Sequence, residues 1–106
     1  MKIRTGLALV AMAMMASANI AMAASAGADT YKAKCQMCHG AAGLADSPAG
    51  KAMKVKPITD ADVKKLTEAE MITATKNGMG KMQPFKDKLT DAQIKDAVTY
   101  FRTFLK

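Results

Sequence analysis

The sequence predicts an all-α protein, and three observations lead to that prediction. Two segments open with a capping box, at Thr67–Glu70 and Thr90–Gln93, and the second continues with apolar residues at helical spacing. After the N-terminal region, no segment alternates between apolar and polar residues over the length of a strand, so strands are not expected. The chain has 106 residues, which allows one domain.

Three to four helices and one short helical turn are predicted along the chain. The first helix covers about residues 28–37, and Asp29 and Thr30 supply capping side chains near its start. A loop rich in glycine, alanine and proline follows, with a helical turn near residues 49–53. The later helices are predicted at about residues 59–66, 67–76 and 90–104.

Each of these later helices has its own local signal. Thr59 and Asp60 open the first of them. Asn77 and Gly78 end the second, since both tolerate the left-handed conformation found after a helix C-terminus. The third and longest carries its apolar residues on one face, which predicts that this face is buried.

The N-terminal segment has the three parts of a secretory signal peptide. A positively charged start is followed by an apolar stretch over residues 7–16 and by the small tripeptide of residues 21–23. The apolar run is too short for an ordinary transmembrane span, and the alternative is an uncleaved membrane anchor. We predict that residues 1–23 are a signal peptide and residues 24–106 the mature domain. Removal of the leader's two basic residues lowers the net charge from +7 to +5.

The two cysteines of the chain lie in the segment Cys35-Gln36-Met37-Cys38-His39. Two thiols three positions apart near the end of a helix can both reach the edge of one flat macrocycle, and each can form a thioether with a haem vinyl group. The histidine that follows can then ligate the iron through an imidazole nitrogen. This pentapeptide is a haem-attachment signature. It predicts one covalent haem c on Cys35 and Cys38, with His39 as an axial ligand.

Other interpretations use the same residues. A redox-active Cys-x-x-Cys pair normally lies in a βαβ context, which this sequence lacks. A structural zinc site needs four ligands, whereas the chain has two cysteines and one histidine, His39. A structural disulfide between Cys35 and Cys38 suits an oxidising compartment but would close only a very small loop. Haem attachment is therefore the favoured interpretation.

A haem held by one histidine leaves a sixth coordination position open, and a methionine thioether from a loop is the most suitable donor. Met79 and Met82 both lie in a glycine-rich turn after a predicted helix. Met82 is favoured because Pro84 stiffens the backbone after it and Phe85 can bury against the haem ring. Met79 stays an alternative, as does the interpretation that both side chains only fill gaps in a core.

These features resemble the class I cytochromes c, particularly the small bacterial mono-haem proteins. Besides the Cys35–His39 motif, the segment Gly78–Phe85 resembles the family's axial-methionine loop, in which proline and an aromatic residue closely follow the ligand. Gly27 and Tyr31 match the small and aromatic positions of the family's N-terminal helix. The resemblance covers the whole chain after the leader. It implies a cytochrome c fold, with three to four helices packed around one covalently bound haem.

The resemblance also implies two contacts and shows two departures. Gly27 should let the N-terminal helix approach the segment Val98–Phe101 closely. Pro48 resembles the family's loop proline, whose carbonyl is expected to accept the N–H of the His39 imidazole. The chain has no tryptophan, so the residues that neutralise the haem propionates are not indicated. The family's proline usually follows the ligand methionine directly, whereas Gln83 intervenes here, which keeps Met79 open as the ligand.

A six-coordinate His/Met haem predicts a soluble electron carrier and not an enzyme, because both axial ligands stay bound and no substrate needs the iron. We expect a monomer in the periplasm, without stable membrane insertion after leader cleavage. Its basic surface favours redox protein partners with acidic docking surfaces, and no nucleic-acid partner is expected. The alternative is a haem-based ligand-binding or peroxidase-like protein with an open sixth position. Lysines in the segments expected around the haem edge are Lys32, Lys34, Lys51, Lys54, Lys56, Lys81, Lys86 and Lys88.

Overall fold

The computed structural model describes residues 25–105, so the predicted leader over residues 1–23 lies outside the described residues. Helix α1 occupies residues 25–34. It is followed by α2 Gln36–His39, α3 Pro48–Ala52, α4 Ala61–Lys64, α5 Glu68–Asn77 and α6 Asp91–Arg102. The all-α prediction is confirmed, since the described range contains no strand and only an isolated antiparallel bridge between Met79 and Met82. No helix between residues 25 and 105 is long and apolar enough to cross a membrane.

The first predicted helix is in fact two helices, separated at Cys35. The Cys35 N–H still donates to the carbonyl of Tyr31 at 2.8 Å, as it would inside a helix. The φ angle of Cys35 is −118°, however, far from the helical value near −63°. The helix is therefore interrupted at the first cysteine, and the second helix continues to His39 instead of ending at Met37.

Helix α4 is shorter than the predicted range of residues 59–66. Asp60 lies outside the helix in an extended conformation, with a φ of −64° and a ψ of 138°. Its carboxylate accepts the N–H of Asp62 at 2.9 Å, which satisfies one of the free donors at the helix start. Asp60 is thus the N-cap, Thr59 precedes the cap, and the helix ends at Lys64.

Both predicted capping boxes are present. In α5 the Thr67 hydroxyl accepts the Glu70 N–H at 3.1 Å, and the Glu70 carboxylate accepts the Thr67 N–H at 3.0 Å. In α6 Thr90 and Gln93 make the same pair of bonds at 3.1 and 2.9 Å. Each box satisfies backbone donors that the first helical turn leaves without partners. The first box uses a carboxylate and the second an amide, so only the first depends on pH.

Glu70→Gln is expected to reduce the acid sensitivity of the fold. The backbone N–H and the hydroxyl of Thr67 hold the pKa of Glu70 below its ordinary value of 4.5. A carboxylate with a lowered folded-state pKa stabilises the fold above its unfolded pKa, and this contribution disappears as pH falls through the folded pKa. Glutamine keeps the box, as Gln93 does, but does not titrate. Urea unfolding on either side of pH 4.5 should show a smaller acid-induced loss in the variant; equal losses would contradict the assignment.

Helices α5 and α6 pack together with the segment between them, and this contact holds the main apolar cluster. Its buried members are Met71, Phe85, Leu89, Ile94 and Val98. The buried face predicted for the last helix is therefore confirmed at Ile94 and Val98. The Arg102 guanidinium donates to the carbonyl of Leu66 at 2.9 Å, which ties the end of α6 to the start of α5. Because Phe85 belongs to this cluster, the turn before it is anchored to the core.

Helix α1 packs against α6 through aromatic side chains. The Tyr31 side chain is 2 % exposed. Its ring centroid lies 5.4 Å from that of Tyr100, 6.0 Å from that of Phe101 and 5.6 Å from that of Phe104. Pairs at such separations contribute packing energy beyond the burial of their area. The contact predicted between the first and last helices is therefore present, and Tyr31 is its centre.

The two backbones come closest at Gly27. A Cβ atom added there would overlap the carbonyl oxygen of Asp96 and lie 2.9 Å from its carbonyl carbon. The close approach that the resemblance implies is present, but Gly27 faces Asp96, just before the expected segment Val98–Phe101. Only glycine fits here without separating the helices.

Gly27→Ala is therefore expected to lower the free energy of unfolding by about 1–3 kcal/mol, the usual cost of overpacking a tight contact. Ala33→Ser, on an exposed position of the same helix, is the control and should change it by less than about 0.5 kcal/mol. Urea unfolding of the two variants and the parent makes the comparison. Equal stabilities for all three proteins would show that the helices separate at little cost.

Candidate functional site

The Cys35–His39 segment forms one helical turn. The N–H groups of Cys38 and His39 both donate to the carbonyl of Cys35, at 3.2 and 3.0 Å. Residues three and four positions apart in such a turn share a face, so Cys35 lies on the same side of the turn as Cys38 and His39. Met37, between them in sequence, is 76 % exposed. The cysteines are half-buried and not joined by a disulfide.

The surroundings of Cys35 favour a protonated thiol. Burial, with a smaller effect of the adjacent Cys38, raises the pKa of Cys35 to about 11. Cysteines that take part in thiol–disulfide exchange have lowered pKa values, because the thiolate is the nucleophile. The shift at Cys35 has the opposite direction to the one found in such cysteines. Between residues 25 and 105, no group of three or more His, Cys, Asp or Glu side chains is arranged to hold a metal ion.

The His39 side chain lies beside α6, with its ring centroid 5.3 Å from that of Phe101 in an edge-on arrangement. Burial lowers the pKa of the imidazole below 6.5, which favours the neutral form that binds metals. The Nδ1 atom is buried and has no hydrogen-bond partner in the described part of the chain. The bond from His39 to the Pro48 carbonyl, implied by the resemblance, is thus not formed. Pro48 is the first residue of α3, and a helical carbonyl points along its own helix axis.

The turn that contains the two candidate methionines is closed by a pair of backbone bonds. The Met79 N–H donates to the Met82 carbonyl at 3.1 Å, and the Met82 N–H donates to the Met79 carbonyl at 2.9 Å. Met79 is 62 % exposed, whereas Met82 packs against the buried cluster of α5 and α6. Phe85 is buried nearby, and its N–H donates to the Thr75 carbonyl at 2.9 Å. The turn therefore directs Met82 inward and Met79 outward.

Comparison with known proteins identifies the family. The sequence model of the family described as cytochrome c oxidase, cbb3-type, subunit III matches residues 22–101. The chain belongs to this family. Among solved structures it is similar to the KustC0563 c-type cytochrome, with 30 % identity and a TM-score of 0.68, over 76 % of this chain and 98 % of that chain. No curated protein sequence gives a significant match. The interpretation as a small class I-like cytochrome c is thereby confirmed, and with it the cytochrome c fold.

Membership of the c-type cytochromes implies haem c as the cofactor and electron transfer as the general role. The side chains of this cytochrome fit that group. Cys35 and Cys38 supply two thiols that no disulfide occupies, His39 supplies a neutral imidazole, and Met82 supplies an inward thioether. Imidazole and thioether are among the donors that haem iron takes from proteins. These side chains are the donors that the sequence predicts, and their assignment to haem stays a prediction.

Two supporting side chains of this cytochrome were not evident from the sequence. The Tyr31 hydroxyl donates to the Gly40 carbonyl at 2.6 Å, and the Ser47 hydroxyl donates to the Met37 carbonyl at 2.5 Å. Ser47 has a local signal, because serine followed by Pro48 predicts an N-cap and the first residue of a helix. The Tyr31 bond has none, since it depends on how the chain turns after His39.

Proposed function

We propose that the mature protein is a soluble electron carrier of the periplasm, with one haem attached covalently to Cys35 and Cys38 and its iron ligated by His39 and Met82. The observation that carries this proposal is the opposite placement of the two methionines in one turn. Met82 packs inward and Met79 is exposed to solvent. Of the two methionines in this turn, the inward packing of Met82 supports it as the interior ligand, with His39 of the attachment motif as the ligand of the other face.

Each candidate residue has a defined task in this proposal. The Cys35 and Cys38 thiols would hold the haem by adding their S–H bonds across its two vinyl groups, which forms C–S and C–H bonds and needs no oxidant. His39 would ligate the iron through Nε2, because Nδ1 is buried. Met82 donates its thioether. A haem held in this way supplies one-electron chemistry, and thioether ligation raises its reduction potential.

The backbone around Met82 suits a carrier better than a catalyst. Two hydrogen bonds to Met79 close the turn, and the buried Phe85 anchors its far end. A ligand fixed on both sides can stay bound in both oxidation states, which keeps the structural change on electron transfer small. The alternative, a ligand-binding or peroxidase-like protein, requires that the Met82 thioether is not bound to iron.

The proposed compartment and size of the mature protein rest on the sequence. The charged start, short apolar run and small residues before position 24 support a cleaved leader over residues 1–23, which leaves residues 24–106 as one cytochrome c domain. Thioether attachment of haem takes place outside the cytoplasm, so the leader and the attachment motif point to the same compartment. We propose that the mature domain works as a monomer, without stable membrane insertion after the leader is cleaved.

Redox proteins with acidic docking surfaces are the proposed partners. The mature chain carries a predicted net charge of +5. Three exposed lysines adjoin the candidate site in sequence: Lys32 and Lys34 precede the attachment turn, and Lys81 precedes Met82. Opposite charges on a partner would speed encounter without making the complex tight. This arrangement suits a shuttle that must dissociate after each transfer.

Reduction by an acidic redox protein is therefore expected to slow as ionic strength rises. Lys81→Gln should lower the rate at low salt by about two- to fivefold, the effect of one exposed ion pair of up to about 1 kcal/mol. Lys95→Gln, on an exposed position of α6, is the matched control and should leave the rate unchanged. Stopped-flow absorption measures all three proteins. A parent rate that does not depend on salt would remove the proposed acidic docking.

A further inference from the structure

The carbonyl groups of the attachment turn are held by donors from separate parts of the chain. The Met37 carbonyl accepts the Ser47 hydroxyl at 2.5 Å, and the Gly40 carbonyl accepts the Tyr31 hydroxyl at 2.6 Å. Between them, the His39 carbonyl accepts the N–H of Ala45 at 2.8 Å. The last carbonyls of a helix have no partners within it. Here α1, the loop after α2 and the start of α3 supply those partners.

The Ser47 hydroxyl both accepts and donates a hydrogen bond. Its hydroxyl oxygen accepts the Gly50 N–H at 3.0 Å, which caps α3, while its hydrogen is donated to Met37. The contact between α3 and the attachment turn is also sterically tight. A Cβ atom added at Gly50 would overlap the carbonyl oxygen of Cys38 and lie 2.8 Å from that of Ala45. Ser47 thus joins the cap of one helix to the turn that carries the thiols.

Tyr31 holds the other end of the same turn. Its ring is buried against α6, and it contacts Phe101, whose own ring lies against the His39 imidazole. Its hydroxyl reaches the Gly40 carbonyl directly after the histidine. Both the backbone next to His39 and the ring beside His39 are therefore in contact with this one side chain.

The His39 imidazole needs such indirect support. A metal-ligating histidine usually donates its second ring N–H to a carbonyl or carboxylate, which fixes the orientation of the ring. Within residues 25–105 no such partner contacts Nδ1 of His39. The observed contacts of the imidazole are then those of the backbone that carries it and of the Phe101 ring packed on it.

We propose that Ser47 and Tyr31 are positioning residues for His39. They hold the carbonyls of Met37 and Gly40, on either side of the histidine, from two different helices, and so keep the imidazole in one orientation toward the haem iron. The inference rests on the proposed function, because it assumes that His39 is the iron ligand. It adds two residues that do not touch the haem iron.

Hydrogen exchange and the ferric NMR spectrum of the haem-bearing protein test this proposal. The amides of His39 and Gly40, which donate within the turn, report on its opening. The haem methyl signals, shifted by the unpaired electron, report on ring orientation. Ser47→Ala removes both bonds of Ser47. Thr67→Ala is the matched control. It also removes the hydrogen bond that an N-cap hydroxyl accepts, in this case at the start of α5, but it leaves the attachment turn intact.

Ser47→Ala is expected to speed exchange at His39 and Gly40 about fivefold more than Thr67→Ala does, which corresponds to the loss of one hydrogen bond of about 1 kcal/mol. It should also move the haem methyl signals, and Ser47→Thr should restore both properties. Tyr31→Phe, which keeps the ring, should produce the same two changes from the other side of the turn. These readouts are specific to the turn, whereas a general loss of stability is shared with the control.

Equal exchange in Ser47→Ala and Thr67→Ala, with unmoved methyl signals, would show that Ser47 is only a helix cap. Unchanged signals in Tyr31→Phe would likewise remove Tyr31 from the proposal. A parent protein without haem absorption would instead overturn the proposed function. The exchange comparison would still decide whether the two hydroxyl groups hold the turn, because it does not depend on the haem.

Discussion

Replacing Met82 with alanine is expected to abolish the far-red thioether-to-iron charge-transfer band of the ferric protein. Alanine removes the one side chain of the turn that packs inward, so the sixth position loses its proposed donor. The ferric spectrum should become high-spin, or that of another ligand. The reduction potential should fall, because the thioether that favours ferrous iron is gone. Absorption spectroscopy and a redox titration measure both effects.

Met79→Ala is the matched control for this experiment. Met79 lies in the same turn and pairs with Met82 through two backbone bonds, but its side chain is 62 % exposed. Its replacement should keep the far-red band at full intensity. The opposite pattern, with the band lost in Met79→Ala and kept in Met82→Ala, would assign the ligand to Met79. This outcome is tested because Gln83 separates Met82 from Pro84, whereas proline usually follows the ligand methionine directly in the family.

Replacing both Cys35 and Cys38 with alanine is expected to abolish covalent haem attachment. The haem of the parent should stay with the polypeptide under denaturing conditions, and that of the double variant should not. Intact mass of the denatured proteins gives the direct comparison, since the parent should carry the mass of one haem. Met37→Ala is the control in the same motif, because Met37 is 76 % exposed, and it should keep the attached haem.

The same double variant should be much less stable. A domain of roughly 80 residues buries a modest share of its apolar surface and usually needs a staple or cofactor. A free ligand at a concentration a thousand times its Kd stabilises a fold by about 4 kcal/mol. A covalently attached group stays bound at any protein concentration, so its contribution does not fall on dilution. We therefore expect a loss of at least about 4 kcal/mol in the free energy of unfolding. A double variant as stable as the parent would contradict a structural role for the haem.

The sequence predicted the helices best where local chemistry determines them. The boxes at Thr67 and Thr90 define the starts of α5 and α6, and both form as predicted, because a capping box needs only four consecutive residues. The start of α4 was less certain from sequence. Thr59 and Asp60 both carry capping side chains, and only the backbone conformation shows that Asp60 is the cap.

Structural features that depend on contacts between distant segments could not be predicted from the sequence. The break at Cys35 lies between α1, which packs on α6, and the turn that contacts α3, and no local signal in the sequence marks it. The missing bond from His39 to Pro48 has the same origin, since Pro48 becomes the first residue of α3. A resemblance transfers residue types reliably, but not the orientation of a single carbonyl.

The candidate site was predictable as a set of residues, but not as an arrangement. Cys35, Cys38 and His39 follow from one motif, and their assignment as haem-binding residues remains a prediction. The preference for Met82 over Met79 rested on Pro84 and Phe85 in the sequence. Burial now gives it a separate physical basis, because one thioether faces the core and the other faces solvent.

The ferric absorption spectrum of the purified mature protein is the most direct test of the proposed His/Met haem. We expect a low-spin spectrum with intense Soret absorption and a far-red thioether-to-iron band, which together require a haem, a strong axial ligand pair and a bound methionine. A high-spin ferric spectrum would contradict the proposed ligation and favour an open sixth position. A protein without Soret absorption would contradict the haem itself.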